Sequence, residues 1–383
     1  MRKVVGLLMP HGDPIVARGP ARASLAGAAS GRQNWVDPRS GVPVSLLALL
    51  LALLAPTLVG AQVVRGRAVS AETGAPIPRA IVELRRGEWS ARTTTSASGA
   101  FTLAADGPGR YTLRVAAIGF SPSTLDRLVV PAGTLDAGDV MLSRVAFTLP
   151  ELRVDAPSAC QVSPGSGTVL GQVLDGARTA LQVMEAGLGD GEYRVERVVR
   201  RAVRGRRDSL ITADTTRGQF AGWPIRAVAP DSLREFGFAV ELPAYAGGGR
   251  RWFGPDVGAL FADWFLASHC FSLEPDRGDD APIRLRFEPA TAGRAIDVAG
   301  VFELDRETLA LRHFRFEHRN LPRGFLPGVA GGEMAFAVLP SGAWLPVRWV
   351  IRAPIENTEG RVAGELRQEG RVISSRAGTM DNE

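Results

Sequence analysis

Residues 98–120 have the sequence SGAFTLAADGPGRYTLRVAAIGF, whose pattern of apolar residues and turns indicates the fold class of the first folded unit. Apolar and polar side chains alternate along residues 111–115, which is typical of a β-strand with one buried face. A glycine stands just before the apolar run that starts at Phe101, and Gly107-Pro108-Gly109 is a tight-turn sequence ahead of Tyr111. The stretch therefore predicts two strands joined by a tight turn.

The same pattern of short runs and turn residues extends in both directions from this stretch. It predicts strands at residues 63–69, 80–85, 91–95, 100–103, 111–117, 125–130 and 139–142. Short strands at this spacing, each with one apolar face, favour a β-sandwich.

The turns of this unit carry a family resemblance. A rigid turn at residues 73–78 precedes the second strand, and the Gly-Ala-Phe, Gly-Pro-Gly-Arg-Tyr and Ile-Gly-Phe pieces follow in order. In this order and spacing they resemble the carboxypeptidase regulatory-like family, a transthyretin-like Greek-key sandwich, over residues 62–145. The resemblance implies an accessory domain that contacts a partner protein or a glycan. Ser96 stands where the family more often has an acidic residue, so no cation-binding loop is expected there.

An uncharged segment at residues 41–64 precedes the sandwich and contains a nearly pure Leu/Ala run at residues 46–54. Small residues follow this run, which predicts signal-peptidase cleavage between Ala61 and Gln62. The alternative is an uncleaved anchor at about residues 42–61, because the uncharged span is long enough to cross a bilayer. We therefore expect an exported protein that is periplasmic or associated with the outer membrane.

Cysteine usage agrees with export. The chain has two cysteines, Cys160 and Cys270, without CxxC spacing. In an oxidising compartment they are expected to form a disulfide. Such a bridge would close a loop of about a hundred residues and contribute up to about 4–5 kcal/mol in the chain-entropy model. The alternative is two separately buried thiols.

The rest of the chain predicts a different architecture. A linker is expected at residues 146–166, an α+β antiparallel-sheet domain at residues 167–375 and a disordered tail at residues 376–383, after a leader and signal peptide at residues 1–61. Apolar spacing predicts a helix over residues 169–186, and Pro255 precedes a second predicted helix over residues 256–268. Strand-like runs lie at residues 193–203, 209–220, 283–287, 295–304, 309–318, 332–339, 344–352 and 362–372. The whole protein is therefore predicted to be mainly β, with a sheet that curls around one or two helices and encloses either an apolar cavity or a filled core.

One local cluster stands out in the second domain. Trp252 and Trp264 could line a pocket, with Arg251 holding an anionic group and His269 close by. The alternative, which we favour, is a loop packed onto the sheet by its aromatic side chains.

Motifs for catalysis are missing from the sequence. His269, His313 and His318 have no metal-ligand spacing, and no GxSxG or phosphate-binding loop occurs. No catalytic residue, cofactor or metal is therefore predicted.

The net charge of +5 and the pI of about 9.9 come from arginine, since Lys3 is the only lysine. The arginines of residues 197–207 alternate with valines, as expected of a strand with one solvated face, and no aromatic residues are interleaved for base stacking. No nucleic-acid partner is expected.

These observations predict an exported cell-envelope binding or structural protein, whose sandwich contacts an envelope protein, a glycan or a lipid. Two alternatives stay open: a peptidase-associated envelope hydrolase, and an accessory component of a TonB-dependent uptake system. The second rests on residues 148–156, which resemble the segment that joins such a sandwich to the plug of TonB-dependent receptors.

Overall fold

The computed structural model describes residues 62–145, 168–188, 193–204, 209–219, 223–225, 227–243, 248–274, 278, 281–291, 293, 295–339, 343–357, 359–375 and 378–379. Of these residues, 55% are in strands and 14% in helices, so the protein is mainly β. The predicted leader, signal peptide and linker, and most of the predicted tail, lie outside the described residues.

The first unit is a sandwich of two sheets, in the strand orders β4-β1-β7 and β3-β2-β5-β6. Strands β1 and β7 pair in parallel, and the other pairs are antiparallel. The strands are β1 (Gln62–Ser70), β2 (Ile81–Arg86), β3 (Trp89–Thr94), β4 (Ala100–Ala105), β5 (Gly109–Ala116), β6 (Ser123–Val130) and β7 (Thr134–Leu142). Each corresponds to a predicted strand, and the largest difference is the earlier start of β7.

Alternating side chains fill the space between the two sheets. Phe101, Tyr111 and Leu113 are buried there, as their period-two pattern predicts. The Tyr111 hydroxyl donates to the carbonyl oxygen of Gly107 at 2.8 Å, which fixes the tight turn that leads into β5. Gly99 has φ +76°, and a Cβ there would collide with the backbone of Ala68, so this turn requires glycine.

The second unit is built on a large antiparallel sheet of ten strands within the described residues. Its order is β12-β13-β14-β15-β16-β17-β18-β8-β9, with β19 beside β18, and β10 and β11 form a separate hairpin. The strands are β8 (Tyr193–Arg204), β9 (Ser209–Gln219), β10 (Ala239–Glu241), β11 (Arg250–Trp252), β12 (His269–Leu273), β13 (Ile283–Pro289), β14 (Asp297–Leu304), β15 (Leu311–Arg319), β16 (Gly331–Val338), β17 (Trp344–Glu356), β18 (Val362–Ser375) and β19 (Gly378–Thr379).

The helices of the second unit are α1 (Val169–Leu188), α2 (Pro230–Phe236), α3 (Val257–Leu260) and α4 (Asp263–Ser268). The long first helix is confirmed. The single helix predicted over residues 256–268 was wrong, because the backbone is extended at Ala262 and divides the segment into α3 and α4. Asp256 caps α3 by accepting a hydrogen bond from the Ala259 amide at 2.8 Å. Among the described residues, no helix has both the length and the apolar character needed to cross a bilayer.

The inner face of the large sheet is covered by a filled core. Phe287, Phe302 and Phe314 lie on neighbouring strands with ring centroids 4.8 to 6.2 Å apart. Leu174 and Leu181 of α1 are fully buried in the same core. Of the two possibilities that the sequence leaves open, the structure therefore shows a filled core rather than an apolar cavity on this face.

Helix α1 also contacts the sandwich, on β2 and β3. The face of α1 that carries Thr179 and Gln182 is polar, and both of these side chains are buried. Arg114 of β5 donates a hydrogen bond to the Gln182 side-chain oxygen at 3.5 Å. Burial, and then the nearby cation of Arg178, lower the pKa of Arg114. One helix is thus shared by both units and joins them.

Candidate functional site

The four predicted pocket residues lie in β11, α4 and β12. Trp252 is buried, and its ring meets that of His318 edge to face at 5.1 Å. Trp264 packs edge to face against Phe265 at 5.6 Å. Both tryptophans are therefore engaged in packing, as the favoured interpretation of this cluster expects.

His269 is fully buried and stacked on Phe265, with ring centroids 3.7 Å apart. Its Nε2 atom lies 3.2 Å from the Val298 carbonyl oxygen, and its Nδ1 atom lies 3.1 Å from the Ser268 hydroxyl. Nδ1 also lies 3.0 Å from the Phe265 carbonyl oxygen, and Nε2 lies 3.3 Å from the Asp297 carboxylate, so both ring nitrogens face hydrogen-bond acceptors. His269 is held as a structural residue in this arrangement.

Arg250, the residue next to Arg251, is at the centre of an ion-pair cluster. Arg250 contacts Glu356 at 2.7 Å and Glu241 at 2.6 Å, and its guanidinium lies over the Phe325 ring at 5.6 Å. The Glu356 side chain is only 2% exposed, and burial raises its pKa. The sequence pattern pointed to Arg251, whereas Arg250 makes these ion pairs. The sequence of two adjacent arginines does not indicate which of them faces the carboxylates.

A cleft of about 730 Å³ lies between the two units. The sandwich contributes residues 77–79, 94–97, 117, 118 and 120. The second unit contributes Val183 of α1, the turn before β15, and the two residues that flank the β16–β17 turn. We call this surface the interdomain cleft.

Local hydrogen bonds fix the sandwich wall of the interdomain cleft. The buried Thr95 hydroxyl donates to the Ile77 carbonyl at 2.7 Å and accepts from the Ala80 amide at 2.8 Å. These bonds hold Arg79 in a left-handed conformation with φ +57°. On the same wall, the Phe120 ring lies under the Arg144 guanidinium at 5.8 Å.

The opposite wall is equally ordered. Asp305 accepts hydrogen bonds from the Thr308 amide and hydroxyl, both at 2.9 Å, and so shapes the turn before β15. The Trp344 indole nitrogen donates to the Leu311 carbonyl at 3.1 Å, which fixes the orientation of this half-buried ring. The exposed Val338 is the cross-strand partner of Trp344.

The lining of the interdomain cleft is mostly apolar and almost uncharged. Ten of its fifteen lining residues are apolar, four are serine or threonine, and Arg79 is the only ionisable one. Such a surface, with two aromatic rings and a few hydroxyl groups, suits binding through contact and hydrogen bonds. Within the described residues, no group of three His, Cys, Asp or Glu side chains could hold a metal ion.

Among curated proteins, none matches this chain. Among solved structures, a proposed carbohydrate binding protein from Bacteroides uniformis is 15% identical, with a TM-score of 0.20, and the match covers 22% of this chain and 41% of that one. The Klebsiella pneumoniae 5-hydroxyisourate hydrolase is 19% identical over 22% of this chain and 94% of its own, with a TM-score of 0.18.

A DUF3823 family protein from Bacteroides uniformis is 10% identical over 68% of this chain and 100% of its own, with a TM-score of 0.18. The family model described as the carboxypeptidase regulatory-like domain matches residues 63–143. This part of the chain, the sandwich of β1 to β7, is a carboxypeptidase regulatory-like domain.

Proposed function

We propose that this protein is an exported cell-envelope binding protein, and that its regulatory-like domain and its sheet domain together hold a ligand in the interdomain cleft. The observation that carries the proposal is the cleft itself. Its volume lies within the range of about 300–1,000 Å³ that is common for ligand sites, and such sites often lie between domains.

The lining favours an uncharged ligand that has an apolar face and hydroxyl groups, as a glycan has. Phe120 and Trp344 offer aromatic surface on opposite walls, and Thr94 and Ser96 bring neutral polar groups. No carboxylate or imidazole lies among the described lining residues, so the cleft offers no acid–base pair. Binding without turnover therefore fits this site.

Export is part of the proposal and rests on the sequence. The uncharged segment before Gln62 and its small residues support cleavage at Ala61, which would release the protein into the periplasm or to the outer membrane. Terminal sequencing of protein extracted from the envelope tests this, and a chain that still begins before residue 46 would favour the anchor instead.

A binding panel tests the ligand class. The full chain, expressed with its own leader, is titrated with envelope glycans, phospholipid vesicles and peptides, and is also incubated with peptidase and esterase substrates. We expect stoichiometric glycan binding without turnover. Trp344→Ala and Phe120→Ala should each weaken it at least tenfold, whereas Leu326→Ala, at an exposed residue outside the cleft, should not.

Hydrolysis that survives removal of trace contaminants would overturn the proposal. Glycan binding that is unchanged in both aromatic variants would show that the glycan does not bind in the interdomain cleft.

A further inference from the structure

The outermost strand of the large sheet, β9, is open to solvent. It pairs with β8 and is the last strand of the sheet order. Residues 211–216 are exposed on both faces, and Ile211 is 67% exposed. The strand at the other end of the order, β12, is largely buried and contacts α1 and α4. Within the described residues, the sheet therefore has one covered end and one uncovered end.

This open edge has few of the features that prevent strand pairing. Natural edge strands are protected by proline, bulges, charges or short length. The pairing of β8 and β9 runs without a bulge from Arg194 opposite Gln219 to Arg204 opposite Ser209. Residues 209–219 contain no proline, one acidic and one basic residue, and several β-branched residues. The edge is long and regular, with backbone groups directed outward.

The charge behind this edge is positive. Residues 193–203 and 209–219 contain five arginines and two acidic residues, and one of these arginines, Arg200, pairs with Glu369 at 2.8 Å. Glu196 is neutralised by Arg217 and Arg371. Arg194 and Arg201, by contrast, form no ion pair in the part of the chain that the structure describes. An approaching strand would meet an excess of positive charge within about a Debye length, about 8–10 Å.

We infer that β9 is a docking edge, to which an extended acidic segment of a partner protein adds as a further antiparallel or parallel strand. Backbone hydrogen bonds would provide the contact, as in other cases of strand addition. The arginines of β8 would select acidic over basic segments and make the association depend on salt. This surface is separate from the interdomain cleft, whose lining contains no residue of β8 or β9.

A pair of labelled decapeptides tests the inference on the full chain. One alternates threonine with glutamate, and the other alternates threonine with lysine. We expect saturable binding of the acidic peptide that weakens at least tenfold when salt rises from about 0.05 to 0.3 M, because screening shortens the reach of the arginines. Binding of the basic peptide should be at least tenfold weaker than that of the acidic one. Equal binding of both peptides would overturn the inference.

Proline variants distinguish binding through the backbone of β9 from binding through the charge of the arginines. Neighbouring residues of a strand direct their amide groups to opposite sides, so one of Thr215→Pro and Thr216→Pro removes an outward N–H and leaves the ladder to β8 intact. The variant that keeps the wild-type melting temperature should lose acidic-peptide binding at least tenfold.

Replacing both Arg194 and Arg201 by glutamine should weaken binding and flatten its salt dependence, whereas Arg348→Gln, at an exposed arginine on β17, should do neither. Undiminished binding by the folded proline variant would contradict the inference. A stable dimer that hides the edge in the wild-type protein would contradict it too.

Discussion

His318 shows how a single buried residue sets a property of the whole fold. Its Nε2 atom lies 2.8 Å from the Phe253 carbonyl oxygen, and the side chain is buried beside the Trp252 ring. Burial lowers the pKa of His318, although the hydrogen bond to Phe253 acts in the other direction. The ring is therefore held neutral in the folded state.

The lowered pKa of His318 predicts a pH dependence of stability. The unfolded histidine has a pKa near 6.5, so between that value and the lower folded pKa the unfolded state binds more protons. The free energy of unfolding should fall as pH drops below about 6.5. The raised pKa of Glu356 has the opposite effect but is present in every variant compared, so it cancels.

Urea unfolding between about pH 8 and pH 5 checks this prediction. The stability difference between wild type and His318→Gln should narrow as pH falls. His313→Gln, which removes an exposed histidine, is the control variant and should change the free energy of unfolding by less than about 0.5 kcal/mol. A constant difference for His318→Gln would show that the ring does not stay neutral on folding.

Gly370 gives a second prediction at the scale of one residue. A Cβ at this position of β18 would overlap the ring of Trp349, which is fully buried. Gly370→Ala should therefore cost about 1–3 kcal/mol of unfolding free energy. Gly218→Ala, in β9, meets no neighbouring atom within 4 Å and should change stability by less than about 1 kcal/mol. Equal effects of the two substitutions in thermal melts would contradict this account of the ring.

At the scale of elements, period-two and helical patterns in the sequence were enough to find most of the fold. The seven strands of the sandwich, α1 and the long strands of the sheet each carry a local signal over four or more residues. Strands of three residues, such as β10 and β11, are too short to show a period. The prediction of one helix over residues 256–268 was wrong because the break falls at an apolar residue, Phe261. In the sequence, this residue continues the apolar face of a helix.

The interdomain cleft could not be predicted from sequence for a different reason. Its walls come from turns of the sandwich and from turns of the second unit that are about two hundred residues away. Their approach depends on how α1 packs against both units, and no local pattern encodes that packing. The predicted cluster, in contrast, was adjacent in sequence, and its aromatic residues pack into the core.

Helix α1 should therefore be sensitive to substitution on its apolar face. Leu174 is fully buried in the core of the sheet domain, and Leu174→Ala should cost about 2–5 kcal/mol. Leu326→Ala, at an exposed residue outside the helix, should change stability by less than about 0.5 kcal/mol. Chemical denaturation of the two variants measures this, and a cost below 1 kcal/mol for Leu174→Ala would mean that the helix is not a core element.

In the molecule as a whole, the predicted disulfide would tie the linker between the two units, through Cys160, to β12 of the second unit, through Cys270. Cys270 is buried in β12, and Cys160 lies outside the described residues, so the bridge stays a prediction. Non-reducing peptide mapping of exported protein should recover the two cysteines in one linked peptide. Reduction should lower the melting temperature, since a loop of about a hundred residues would be released. Alkylation of both as free thiols under native conditions would contradict the bridge.

We propose that the two units bind their ligand together, because α1 contacts both and residues of both line the interdomain cleft. Hydrogen–deuterium exchange of the full chain, with and without a saturating glycan from the binding panel, measures this. Backbone amides in residues 77–97 and 117–120 and those in residues 308–310, 338–339 and 343–344 should become protected together. Protection confined to one of the two walls, or protection elsewhere with both walls unchanged, would contradict it.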